Sequence, residues 1–244
     1  MNTQYILLWL EAPLQSWGAD SKFGRRDTLP FPTKSGVLGL LLCAMGASGA
    51  QKELLGHMRP LSQTVIAYAR IREGSNRESK KEDREPLLRD FHMVGSGYNE
   101  KDPWETLLIP KTSEGKKARG GGTKMTYRYY LQDAKFAVVL ETPADLTESF
   151  AWALQNPVYD LYLGRKNCVP TEFIYQGTFV NEDEARSYAK GIMRKKNLME
   201  DFSVLDGEQE GETMTLNDVP VQFGPVKKYR DRRITVVWLW PVLN

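Results

Sequence analysis

Histidine and cysteine are both scarce in this chain; each occurs twice, as His57 and His92 and as Cys43 and Cys168. None of the four falls in a CxxC or HxxxH spacing, so neither a structural nor a catalytic zinc site is expected. Two well-separated cysteines also argue against a disulfide framework and for a reducing compartment. Long hydrophobic runs are missing too. The longest, Val37 to Ala47, is too short to span a bilayer. No basic stretch followed by a cleavable apolar segment opens the chain. The reading is a cytoplasmic protein with no membrane partner. Common enzyme signatures are absent as well. Gly36 to Gly39 lacks the spacing and Lys-Thr pair of a Walker loop, Gly120–Gly122 lacks a strand–loop–helix setting, and no GxSxG elbow occurs. No cofactor is called for.

Net charge is small, +2 from 33 bases and 31 acids in 244 residues, so bulk basicity does not announce nucleic acid. Its distribution says more. Lys111 to Arg128 holds six bases against Glu114 alone, and Lys227 to Arg233 holds five against Asp231. Glu200 to Asp218 holds seven acids and no base. Local basic patches beside a separate acidic segment fit a protein that touches phosphates on one face, the acidic segment being either solvated, the preferred reading, or turned to a basic neighbour.

The stretch from Pro13 to Leu42, PLQSWGADSKFGRRDTLPFPTKSGVLGLLL, organises the rest. An apolar run, Tyr5 to Leu10, reads as a strand ending before Pro13 and Gly18. A loop then carries Lys22, Arg25 and Arg26. Pro30 and Pro32 hold the backbone extended, and Thr33 or Ser35 is placed to cap a helix over Val37 to Met45. Free N–H groups at such a helix start form an anion seat, for which phosphate is the natural ligand, with Thr33, Lys34 and Ser35 around it.

Further on, Gln51–Met58 reads as a continuation or companion helix, and Thr64–Ile71 as a strand. Residues 72–85 contain no apolar side chain and read as a loop that cannot pack. Gly95 to Lys124 is a long excursion suited to a basic arm. Thr126–Leu131 and Lys135–Glu141 are two strands or one bent strand, and Thr147–Asn156 is a helix stopped by Pro157. The order resembles the ferredoxin-like β-α-β-β-α-β plan, with Phe173–Phe179 a candidate for its last strand. Beyond Leu161 come a basic turn, a helix over 181–196 with acids early and bases late, short strands, and a final strand at Ile234–Trp240. The fold class is α+β: a ferredoxin-like (RRM-like) domain over 1–160 with an arm at 95–124, and a smaller β-rich part, 161–244, packed on it.

The order PLQSWG, a Gly-Arg loop and FPTKSGVLGLL, then Arg89–His92 with Tyr127–Leu140, then LYLGRKNC (161–168) and the C-terminal strand resembles CRISPR-associated protein family five. The blocks match best the branch that serves type I-E Cascade complexes. The resemblance covers nearly the whole chain. It implies an RRM-like fold of the RAMP superfamily and a non-catalytic subunit of an antiviral ribonucleoprotein. Such a subunit would hold the 5′ repeat-derived handle of the CRISPR RNA between a backbone subunit and the large subunit, touching target DNA only indirectly. It also implies that the arm is a thumb-like hairpin over the guide RNA.

Single-stranded RNA is held by stacking bases on aromatic rings while Arg, Lys and backbone N–H meet phosphates. Candidate contacts are Gln15, Trp17, Lys22, Arg25, Arg26, Thr33, Lys34, Ser35, Lys124, Arg128, Arg165 and Lys166. Trp17 reads equally as core. Strand alternation splits Tyr127 and Tyr129 from Arg128 and Tyr130, so one tyrosine pair belongs to the core. Arg165 and Lys166 read as phosphate contacts or as an exposed turn. The rival reading is a metal-independent endoribonuclease, as in type I-C relatives, with His92, Lys124 and Tyr127 as its raw material. His92 reads better as a strand-end residue, since no second catalytic group is paired with it in the sequence.

Overall fold

The computed structural model describes residues 2–18, 24–73, 79–95, 102–107, 109, 111–116 and 123–239. The chain opens with β1 (Thr3–Glu11), then four two-residue strands, β2 (Leu14–Gln15), β3 (Trp17–Gly18), β4 (Arg25–Arg26) and β5 (Thr28–Leu29). Helices α1 (Lys34–Ala44) and α2 (Lys52–Met58) lead to β6 (Gln63–Glu73), β7 (Ser79–Lys81), β8 (Leu88–Val94) and the short α3 (Pro103–Leu107). After β9 (Lys124–Gln132), β10 (Lys135–Pro143), α4 (Ala144–Gln155), β11 (Tyr175–Phe179) and α5 (Glu182–Lys195), the chain ends in β12 (Leu198–Asp206), β13 (Glu212–Gln222) and β14 (Lys228–Trp238).

One large sheet runs β11-β1-β10-β6-β12-β14-β13, with β7 added on β6. Every pair in it is antiparallel. Its centre is dry on both faces. Ile6, Leu8, Leu10, Val138 and Phe136 face α1, α2 and α4, while Leu7, Trp9, Ala137 and Val139 face Ala185 and Ala189 of α5. That is why β1 reads as an unbroken apolar run rather than an alternating one. Each large side chain so buried contributes roughly 1.5–3 kcal/mol. Helix α1 is apolar on all sides because it lies against both α4 and β13.

The local signals hold where neighbours in sequence settle them. Thr33 caps α1 through its hydroxyl, which accepts from Gly36 N at 3.1 Å. Asn181 caps α5 in the same way, and the acids at its start and bases at its end match the expected dipole pattern. Gln51 adopts a left-handed φ of 50° and breaks α2 away from α1, so the companion-helix alternative holds. Phe150 and Leu154 are the buried face of α4.

Of two strands or one bent strand, the two-strand alternative holds: β9 and β10 are separate and belong to different sheets, β9 pairing with β8, β2 and β4 and β10 lying between β1 and β6. The turn between them carries Asp133 at φ 49°. The loop without apolar residues packs after all. Lys81 and Arg84 both pair with buried Asp201, at 2.7 and 2.9 Å, and Arg84 lies over the Phe202 and Phe136 rings. The expected short C-terminal strands are longer, and β12 hydrogen-bonds to β6. Residues on both sides of position 160 therefore share one sheet and one core. Among the described residues no helix is long and apolar enough to cross a membrane.

Candidate nucleic-acid interface

The Pro13–Gly18 loop is fixed by side chains that the sequence offered as RNA contacts. Gln15 is fully buried; its amide donates to Leu10 O at 3.1 Å and Ala134 O at 2.7 Å. Its Oε1 accepts from Trp17 Nε1 at 3.0 Å, and the Trp17 ring is buried in the main core. Both residues build the loop and present nothing outward. Thr33 is equally buried, with its hydroxyl used as the cap. Ser35 is half-buried beside it.

The anion seat at the start of α1 exists, but the chain fills it. Asp218, 184 positions away on β13, accepts from Lys34 N at 2.7 Å. The same carboxylate accepts from Arg232 Nε and Nη2 at 2.7 and 2.8 Å. Arg232 also pairs with Asp206, whose other oxygen accepts from Gln63 N at 3.1 Å. Burial alone would lower the Arg232 pKa, yet Asp218 and Asp206 hold it above its ordinary value. Lys34 is 2% exposed and donates to the carbonyls of Arg59 and Leu61; burial pushes its pKa down. The expectation of a phosphate at this helix end with Lys34 beside it is therefore corrected, because the Asp218 carboxylate occupies Lys34 N and the Thr33 hydroxyl occupies Gly36 N. The acidic segment is corrected with it: Asp201 and Asp218 are buried ion-pair partners, not solvated charge.

A different place gathers the remaining candidates. Gly164, in the LYLGRKNC turn, has φ +94°, and a Cβ there would stand 1.6 Å from Ser16 O. Only glycine lets the turn lie this close to the first loop, where Ser16 N donates to Leu163 O at 3.1 Å. Arg165 then reaches across β9 and β4. Its guanidinium donates to Tyr129 O at 3.2 Å and Arg26 O at 2.9 Å and lies over the Tyr130 ring at 4.7 Å. The chain thus uses Arg165 to staple three segments together. Lys166 next to it is exposed and has no ion-pair partner among the described residues.

The result is an open groove of about 450 Å³, lined by His92, Arg128, Tyr130, Tyr162, Arg165 and Lys166 among others. Tyr162 and Asn167 were not singled out in the sequence; both lie inside the LYLGRKNC block, which was the available signal. Arg25 pairs with Asp27 at 2.8 Å and covers the Tyr129 ring at 4.8 Å, on the face of β9 away from Arg128 and Tyr130. Arg26, half-buried, sits opposite Arg128 in the parallel β4–β9 pairing.

Strands β8 and β9 form a ribbon whose two faces differ. Asp90, His92 and Val94 stand opposite Arg128, Thr126 and Lys124, giving one polar face. Phe91 and Met93 stand opposite Tyr127 and Met125, giving an exposed apolar face on which Arg89 covers Tyr127. Tyr130 is the core tyrosine, while Tyr127 is exposed and Tyr129 half-buried. His92 and Lys124 thus share a face and Tyr127 lies on the other, so the three proposed nuclease groups do not converge. The nearest carboxylate to His92 is that of Asp90, 3.7 Å from Nδ1. Lys22 and the arm's Gly120–Gly122 lie outside the described residues. Among the described residues no three His, Cys, Asp or Glu side chains cluster as a metal ion would need.

Comparison with known proteins converges on one group. A family model described as "CRISPR-associated protein (Cas_Cas5)" matches residues 5–237. The chain is 30% identical over 189 residues to the CRISPR system Cascade subunit CasD of Escherichia coli (strain K12), covering 75% of each protein. It superposes on a chain from a CRISPR RNA-guided surveillance complex with a TM-score of 0.67 at 27% identity, covering 96% of this chain and 89% of that one. A solved Cas protein gives a TM-score of 0.54 at 26% identity, covering 96% and 94%. With the family model spanning nearly its full length, this chain belongs to the CRISPR-associated Cas5 protein family.

Proposed function

We propose that the chain is an RNA-holding subunit of a Cascade-type surveillance complex, seated on the 5′ handle of the CRISPR RNA, with no catalytic role of its own. The observation that carries this is the groove between the β8–β9 ribbon and the 161–168 turn. It collects Arg128, Lys166 and His92 on a surface that the fold leaves open, with Arg25 and Arg26 on β4, the strand paired with β9. Basic side chains beside tyrosine rings are the equipment for a single strand: cations meet phosphates and rings meet bases. Arg165 acts as a positioning residue, because its donors already serve protein carbonyls.

The reading extends to the fold and the partners. The order β11-β1-β10-β6, with β1 and β6 joined through α1 and α2 and with α4 before β11, supports a ferredoxin-like half. The β8–β9 ribbon supports a thumb whose polar face meets the guide while backbone and large subunits flank the protein. Both cysteines are free, as suits the reducing cytoplasm.

Labelled CRISPR repeat RNA incubated with the purified chain in EDTA, read on native and denaturing gels, tests this. The expected result is intact RNA that is shifted, with the shift lost in the Arg25→Ala/Arg26→Ala double variant. A discrete cut that disappears in His92→Ala would replace holding with endoribonuclease activity.

A further inference from the structure

Gly39 occupies the middle of α1, and a Cβ built on it meets nothing within 4 Å. A mid-helix glycine weakens a helix relative to alanine, and here neither φ nor a close neighbour requires it. What lies above it is a cleft of about 430 Å³, bounded by Tyr159 and Tyr162 on one side and by Phe223 and Lys227 on the other. No acidic side chain lines it. The cleft shares Tyr162 and Gly164 with the Arg128–Lys166 groove, so the two are neighbours. A third hollow, of about 650 Å³, joins Tyr159, Tyr162 and Lys166 to Cys43.

Resting on the RNA-holding reading, we infer that this cleft is a nucleotide subsite: one unpaired base of the bound strand sits over Gly39 against Tyr159 and Tyr162. Its flanking phosphates lie toward Lys166 and Lys227. A flat base needs a low floor and ring-bearing walls, and glycine provides that floor. Lys166 and Lys227 are exposed and have no ion-pair partner among the described residues, so their charge is available to phosphate. An acidic or purely apolar protein segment would match this combination less well, since the walls carry aromatic rings and Lys227 is the only charged side chain among the described residues lining the cleft.

The chain contains its own reporter. Cys43 is half-buried on the cleft wall, with Sγ 3.7 Å from Asp160 O, whereas Cys168 is fully buried. The test is thiol labelling of the wild-type chain with and without single-stranded repeat RNA, with binding followed in parallel by gel shift. Cys43 should label at least fivefold more slowly with saturating RNA, and Cys168 should stay unlabelled in both arms. Gly39→Ala should raise the melting temperature. Gly39→Leu should keep that gain while weakening RNA binding about tenfold. Clear RNA binding with Cys43 labelled at its free rate would overturn the subsite and leave the holding role standing. So would a Gly39→Leu variant that binds RNA as tightly as wild type. Protection that comes only from added protein subunits would also overturn it, in favour of a protein occupant. No RNA binding in any arm would overturn both readings together.

Discussion

Two regions of this molecule are rich in arginine, lysine and carboxylate, and they use them oppositely. At the start of α1, Lys34, Arg232, Asp206 and Asp218 neutralise one another and satisfy backbone N–H groups inside the protein. Around the 161–168 turn, Arg128 and Lys166 face an open groove with Asp90 as the one acid in its lining. Residue type alone does not separate a structural cation from a ligand-facing one; whether the fold supplies a carboxylate does.

The sharpest way to break this comparison is to empty the inner seat. Asp218→Ala leaves Arg232 short of a partner and Lys34 N without its acceptor, and removing one member of a buried pair costs about 3–5 kcal/mol. Urea denaturation should show that loss, and a change below about 1 kcal/mol would mean that the cluster is not structural. Next comes Gly164→Ala, which forces a left-handed conformation worth roughly 1–2 kcal/mol against any other residue and drives Cβ into Ser16 O. Its melting temperature should fall by several degrees, and RNA binding should fall with it because the groove loses one wall.

A smaller effect separates the regions by pH. Glu141 accepts from Ser62 N and Oγ at 2.8 and 2.9 Å. Burial alone would raise its pKa, but these bonds hold it below the ordinary 4.5. Its contribution to stability is therefore present above 4.5 and is lost as the pH falls through the lowered native value. Glu141→Gln should flatten that part of the stability–pH curve, which equilibrium unfolding measured across the acid range would reveal. Smallest in stability, and largest in binding, is Arg25→Ala with Arg26→Ala. Melting should not move, while the salt dependence of RNA affinity should become shallower by about one unit of slope for each phosphate that is no longer neutralised. A fall in melting temperature would place these arginines with the structural set.

How far the sequence reached follows the same division. Features set by neighbours were legible: the Thr33 and Asn181 caps, the buried run of β1, the face of α4 and the charge order of α5. Features set by remote partners were not. Nothing near Lys34 announces burial, because Asp218 comes from 184 positions away. Arg84 sits in a segment without apolar residues and is held by Asp201 and two distant rings. Gln15 looks like an exposed loop residue, and Trp17 reads equally as contact or core, until their mutual hydrogen bond and the burial of the Trp17 ring are seen. The LYLGRKNC block was legible as a basic turn, but only the Gly164–Ser16 approach explains why that turn meets the first loop.

The bend at Asp133 makes β9 and β10 a single crank. One arm, β10, is clamped between β1 and β6 in the middle of the large sheet. The other, β9, carries the ribbon, and the elbow is braced where Asp133 N donates to Pro13 O at 2.9 Å and its carboxylate meets Arg70 and Lys135. A force on the ribbon is delivered as torque to a strand held by neighbours on both edges, so the elbow yields before the sheet does.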